Sequence, residues 1–263
     1  IIHTENDLTY KQYAPMDSTV LWPARSDTDR SWSFVAGTVY DLTDKLGLNL
    51  TLARSFRAPT IEERYLYADL GGVLTVGNPL IDPEEGMFVE GGFNARIGNL
   101  KFTGQTYLNS LNNMVTQEWG TFHDGRNAWV SVNAGKARLW GFEASADWAA
   151  GNHLLLSGDF ALARGTDAKA NRNLPFMPPP RGHLAARWNA GWGYWIEPLA
   201  TFVARQEKIA EGERITPGYG TVDLSLGKTF RVANGLSNDL ALGVKNLGDK
   251  LYRDHLATSR GYE

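Results

Sequence analysis

The feature that most limits what this chain can fold into is a two-residue alternation of apolar and polar side chains that restarts many times from Trp32 onward. Successive side chains of a strand point to opposite sides, so this period gives a sheet with one apolar and one polar face. Trp32, Phe34, Ala36, Thr38 and Tyr40 share one side. Leu46, Leu48, Leu50, Leu52 and Phe56 repeat the pattern against Gly47, Asn49, Thr51, Ala53 and Ser55. Met87, Val89, Gly91 and Phe93 follow, then Leu100, Phe102 and Leu108, then Trp140, Phe142, Ala144, Ala146 and Trp148. Val222, Leu224, Leu226 and Phe230 oppose Thr221, Asp223, Ser225 and Thr229. Looser alternation covers 152–164, 182–192, 194–205 and 238–247. Pro198 interrupts one of these segments and, lacking an N–H, predicts a bulge or a rim position there. About ten strands result, many as long as the roughly 9–11 residues of a tilted membrane-spanning strand. Helical periodicity dominates nowhere, so the fold class is all-β.

The links between these segments alternate in length. Short ones fall at Asp41–Lys45, Gly98-Asn99, Ala149–Asn152, Gly191–Gly193 and Arg231–Ser237, and long ones at 57–86, 110–128, 165–180, 206–217 and 248–263. An up-and-down antiparallel sheet with tight turns at one end and long loops at the other has this pattern, as outer-membrane barrels do. Tyr40, Trp148, Trp188, Trp192, Tyr194, Trp195 and Phe230 lie near the short links, where a barrel carries an interfacial aromatic girdle. Strand-end aromatics of a sandwich core are the alternative. The Asn, Gln, Thr, Ser, Asp and Glu of the other face suit a wet or plugged lumen better than a dry core.

Composition removes several function classes. At 43% hydrophobic and 21% charged residues the chain is neither disordered nor a continuous apolar helix bundle, and no window reaches the ~20 apolar residues of a membrane helix. The net charge of −3 and pI near 6.0 give no basic patch for nucleic acid. Cysteine is absent, which excludes disulfides and thiolate metal sites. The five histidines, His3, His123, His153, His183 and His255, are too scattered for a metal motif, and no GxSxG elbow, Walker loop or dinucleotide fingerprint occurs. The expectation is a protein that is not an enzyme and carries no cofactor. Residues 1–31 read as a polar loop with room for a short strand end, and the start at Ile1-Ile2-His3 suggests that any signal peptide is already missing.

Six stretches then carry a resemblance. SFRAPTIEERY (55–65), GNPLIDPEEG (77–86), ARLWGFEASADW (137–148), LPFMPPPRGHLAARW (174–188), TPGYGTVDLSLGKTF (216–230) and LALGVKNLGDKLYRDH (240–255) resemble, in this order, the C-terminal half of TonB-dependent outer-membrane receptors. The resemblance spans roughly 46–255. It implies a portion of an antiparallel, up-and-down transmembrane β-barrel, about ten strands of a barrel of about 22 closed by an N-terminal plug. The whole of residues 1–263 is expected to be this C-terminal barrel part, with the plug and the final strand missing. The implied activity is energised uptake of a ferric siderophore or similar metal complex across the bacterial outer membrane. Implied partners are the TonB complex (through the missing plug segment), outer-membrane lipid and an extracellular metal chelate. A passive porin or structural barrel is the runner-up, and a soluble β-sandwich or adhesin the third reading.

The family's usual Asn-Pro-Asn-Leu reads Asn78-Pro79-Leu80-Ile81 here. Haem receptors of the family tend to carry a histidine between the two proline boxes, and residues 60–77 have none. Tyr65 and Tyr67 are then the available ligands for ferric haem. Arg57, Glu62 and Arg64 are expected to face plug residues. Tyr65, Tyr67, Trp119, Phe122, His123, Arg126 and Trp129 are the candidates for contact with ligand, through stacking and cation–π attraction to an aromatic, anionic chelate. Most of the proline-box residues have a plain architectural reading, since Pro59, Pro79, Gly77 and Gly86 set turn geometry.

Overall fold

In a computed structural model of the chain, residues 2–6, 25–69, 74–122, 125–133, 135–231 and 236–257 are described. His123 and the end of the 248–263 segment, both named above, lie outside them, as does part of the link after Arg231. The strands in order are β1 (Ile2–Asn6), β2 (Arg25–Asp29), β3 (Phe34–Thr43), β4 (Leu46–Arg57), β5 (Tyr67–Asp69), β6 (Leu74–Val76), β7 (Glu84–Ile97), β8 (Leu100–Asn112), β9 (Val115–Thr121) and β10 (Asn127–Asn133). They continue as β11 (Lys136–Ala150), β12 (Leu154–Asp167), β13 (Arg172–Asn173), β14 (Arg181–Gly191), β15 (Tyr194–Val203), β16 (Tyr219–Arg231) and β17 (Ser237–Val244). One short helix, α1 (Ile61–Tyr65), stands between β4 and β5. Every strand expected from the alternation is present, and the strand path is nearly all antiparallel.

The chain divides into two compact units. The larger comprises Gly37–Leu52, Val89–Asn109 and Arg138–Glu263. Its long strands lie in one sheet in the order β17-β16-β15-β14-β12-β11-β8-β7-β4-β3, with β13 paired to the end of β12. Within this sheet the strands pair in chain order, whether a tight turn or a long segment links them. The register puts Leu156 beside Ala186, Leu184 beside Ala200, and Ala200 beside Val222, so the apolar residues form continuous rows on one face. Nothing among the described residues covers those rows: Leu184, Phe202, Val222, Leu226 and Leu242 are all exposed. An uncovered apolar face of this extent is costly in water and suited to lipid.

The opposite face is polar and bonded to itself. Thr103 and Ser145 share a 2.6 Å hydrogen bond, the Gln105 amide donates to Glu143 at 3.1 Å, and the Ser157 hydroxyl donates to Asp147 at 2.7 Å. His183 meets Asp159 at 2.8 Å in the same layer. Aromatic side chains crowd the short-turn end, where Trp148, Trp188, Tyr194 and Phe230 are exposed. Trp192 projects from the β14–β15 turn at 94% exposure with φ +48°. There Gly193, at φ +81°, brings its backbone so close to the Thr229 carbonyl that a Cβ has no room. Pro198 is neither at a bulge nor at a rim. It sits mid-strand in β15, opposite Leu224, and the cost falls on the β14 side, where the ladder skips from Ala185–Leu199 to Trp188–Ile196 without losing register. The irregularity falls instead at Asn189/Gly191, by the turn.

The long links are not bare loops. In the larger unit they are tied by side chains to backbone. Glu213 accepts the Phe176 and Ala210 amides, each at 2.8 Å, and the fully buried Gln206 donates to the Met177 carbonyl at 2.6 Å. His255 is held by Thr216 at 2.9 Å, while Asp254 turns away to accept the Leu256 amide at 2.8 Å.

Candidate functional site

The smaller unit comprises Ile1–Ala36, Ala53–Phe88 and Ser110–Ala137, and it holds both proline boxes and nearly every candidate ligand residue. The segments expected as plain loops, 57–86 and 110–128, fold here into α1 and a four-stranded sheet in the order β5-β6-β10-β9. β10 runs antiparallel to β9 and parallel to β6, which pairs antiparallel with β5. β1 and β2 pair separately in what the sequence suggested was a loop.

The helix is short because it is a cap more than a rod. Thr60 is its N-cap: its hydroxyl accepts the Glu63 amide at 3.1 Å, and the Glu63 carboxylate accepts the Thr60 amide at 2.8 Å. This reciprocal capping box satisfies two donors that a helix start leaves open. The same Glu63 carboxylate takes a forked pair of bonds from Arg57, at 2.8 and 3.0 Å. Arg57 turns its Nε to Glu84 at 2.7 Å, and the other Glu84 oxygen accepts the Val115 amide at 2.7 Å. Burial alone would raise the Glu63 pKa, but the Arg57 guanidinium and the Thr60 amide outweigh it and hold that carboxyl below its ordinary value.

The second proline box closes the other end of the helix. The Gly77 amide donates to the Leu66 carbonyl at 2.7 Å and the Asn78 amide to the Glu63 carbonyl at 3.0 Å. The approach is tight enough that a Cβ on Gly77 meets the Arg64 carbonyl carbon and the Tyr65 nitrogen at 2.5 Å. The two boxes are thus the two ends of one hydrogen-bonded knot. Asn133 adds a clamp from β10: its amide donates to the carbonyls of Asp82 and Asn113, at 2.9 and 2.7 Å, and its carbonyl accepts the Asp82 amide at 2.8 Å.

The three residues expected to face a plug occupy different settings. Arg57 is engaged by Glu63 and Glu84. Arg64 is 3% exposed and pairs with Asp29 at 3.0 Å, leaving its Nε and Nη1 and the Asp29 Oδ2 without partners among the described residues. Glu62 stands exposed on α1.

The ligand candidates divide between the two faces of the small sheet. Leu74, Val76, Phe122 and Ala128 form a buried cluster on one face, with Tyr67 and Val130 packed against it. Arg126 lies on this side, its guanidinium bonded to Asp69 at 2.9 Å and to the Tyr67 hydroxyl. Trp119 and Trp129 are register partners on the other face, their rings edge to face with centroids 5.3 Å apart, 54% and 40% exposed. Tyr65, at 6% exposure, and Phe122, at 8%, are buried. The sequence grouped these residues as aromatic and polar side chains of the expected long loops. Strand alternation separates them, since Ala128 and Trp129 must point in opposite directions. Sequence reasoning also missed the capping box, although Thr60-Ile61-Glu62-Glu63 carries its S/T-x-x-E signature. No cluster of metal-ligating side chains occurs among the described residues.

A long-stranded antiparallel sheet with a bare apolar face, a hydrogen-bonded polar face, tight turns at one end and structured loops at the other defines a β-barrel wall of the membrane-spanning kind. Residues 5–247 match the family described as TonB dependent receptor-like, beta-barrel, and the chain belongs to that family. Among characterised proteins it is 25% identical over 252 residues to a hemin receptor of Yersinia enterocolitica, covering 86% of this chain and 36% of that protein. Among solved structures it is similar to the copper transporter OprC (TM-score 0.71, 22% identity, 87% of this chain and 35% of the other). It is also similar to the ferric enterobactin receptor of Pseudomonas aeruginosa in complex with enterobactin (TM-score 0.69, 20% identity, 88% and 36%). The chain therefore spans little more than a third of the length of these relatives.

Proposed function

We propose that this chain supplies the C-terminal barrel wall and outer loops of a bacterial outer-membrane receptor that takes up a ferric siderophore or similar metal complex with energy passed from TonB. The family match over 5–247 carries the reading. The named metal-complex receptors and transporters of the same fold support it. A passive pore equilibrates its solute, whereas a receptor for a scarce chelate must bind tightly and then be driven to release. In this reading a plug outside the chain occupies the lumen against the polar face and meets Glu62, with Arg57 and Arg64 fixing the loop knot behind it. Trp119, Trp129, Arg126 and Tyr67 meet the ligand from the two faces of the outer sheet, His123 belongs to the same loop, and Tyr65 and Phe122 support the others from below.

Haem is the second reading, favoured by the hemin receptor relative. Two observations weigh against it: residues 60–77 hold no histidine, and Tyr65 is buried while the Tyr67 hydroxyl is taken by Arg126. The test is uptake of radiolabelled metal by cells with and without the intact gene, using ferric siderophores, haem, cobalamin and copper, repeated after TonB is deleted. Accumulation of one complex that needs both the protein and TonB is expected. Uptake that persists unchanged without TonB overturns the reading in favour of a passive barrel.

A further inference from the structure

The Trp face of the small sheet also bounds a cavity. A cavity of about 340 Å³ lies between α1 and the β9–β10 strands, bounded by Thr60, Glu62, Glu63 and Leu66 on one side and by Val115, Thr116, Gln117 and Ser131 on the other. That is at the small end of the roughly 300–1,000 Å³ range of ligand pockets. Its charge is unbalanced. Glu63 is spent on Arg57 and on the helix cap, but the Glu62 carboxylate has no hydrogen-bond or ion-pair partner among the described residues. No Lys or Arg borders the cavity, and its remaining polar groups are neutral hydroxyls and an amide.

The exposed indoles lie on the sheet face that bounds this cavity. Gln117 and Ser131 are register partners on the same face as Trp119 and Trp129, one pleat away with no bulge between. One pleat is about 6.6 Å along a strand. The faces of indole rings are electron-rich and attract cations, most strongly when the ring is Trp. An unpaired carboxylate at the wall and a pair of exposed indoles on the same sheet face favour the same sign of charge.

We propose that the Glu62 cavity and the Trp119–Trp129 pair together form a binding site for a small-molecule organic ammonium ion, with the cationic head at Glu62 and its alkyl or aryl substituents against the indoles. The charge complementarity assigns this occupant. The site shares Glu62, Trp119 and Trp129 with the metal-complex reading but does not rest on it, since its test reads binding of a small cation by the purified chain and not uptake.

The test uses the purified protein in a non-ionic detergent and three probes of similar size: benzyltrimethylammonium, neutral benzyl alcohol and anionic benzoate. Ligand-observed saturation-transfer NMR is expected to show saturable binding of benzyltrimethylammonium and none of benzoate. Glu62→Gln keeps the shape of the side chain and is expected to weaken the cation about threefold or more, as is Trp129→Ala, in line with exposed ion-pair and cation–π contacts. Circular dichroism and heat-modifiable migration check that each variant folds, and Glu118→Gln, on the opposite sheet face, controls for the loss of any surface carboxylate. Equal binding of benzyl alcohol and benzyltrimethylammonium, or unchanged cation affinity in both Glu62→Gln and Trp129→Ala, overturns the proposal.

Discussion

Individual side chains in the proline boxes act on one another before they act on any ligand. Gly77 shows this most sharply, because its lack of a Cβ lets the second box hydrogen-bond the helix that the first box starts. Gly77→Ala is expected to destabilise the outer-loop unit by about 2 kcal/mol, the scale of core overpacking, seen as faster hydrogen exchange at 60–80 with the barrel strands unchanged. Thr60→Ala removes one side of the capping box and is expected to cost about 1 kcal/mol by the same measurement. Glu63 adds a pH dependence whose sign follows from its lowered pKa. A carboxyl depressed in the folded state stabilises it above the unfolded pKa, about 4.3 for Glu, and that contribution is lost as pH falls through the folded value. Loop protection is therefore expected to fall on acidification below about pH 4, and Glu63→Gln to flatten that profile.

Among the elements, the β14–β15 hairpin and the small sheet show opposite uses of strand geometry. The hairpin turns on Gly191, Trp192 and Gly193, all at positive φ, and Gly193 is pressed against the Thr229 carbonyl of β16. Gly193→Val is expected to disrupt both the turn and the β15–β16 ladder, lowering the yield of heat-modifiable folded protein several-fold, whereas Ala190→Val immediately before the turn is expected to be tolerated. Pro198 shows that a central strand accepts a missing donor when the register on both sides is fixed by flanking pairs. In the small sheet, alternation divides one cluster of candidate residues into a packed face and an exposed face. Proximity along the chain therefore did not predict proximity at the site.

At the scale of the whole molecule, the exposed apolar rows and the bonded polar layer set different tolerances on neighbouring residues. Leu224→Arg places a charge on the lipid face in the middle of β16 and is expected to cost about 2–4 kcal/mol, read as a loss of refolding into bilayers. Ser225→Arg, on the polar face one residue along, is expected to refold as the parent does. Much of this was legible in the sequence. The period of two fixed the strands and their faces, because side-chain direction along a strand is a local property of the backbone. The lengths of the links separated the tight-turn end from the loop end for the same reason. Local pattern could not reveal what the loops build. The bonds from Arg57 to Glu84 and from the Val115 amide to Glu84, and the parallel pairing of β6 with β10, all join residues distant along the chain. Such contacts are chosen by hydrogen-bond satisfaction and packing in three dimensions, so the tertiary structure alone decided the architecture of the candidate site.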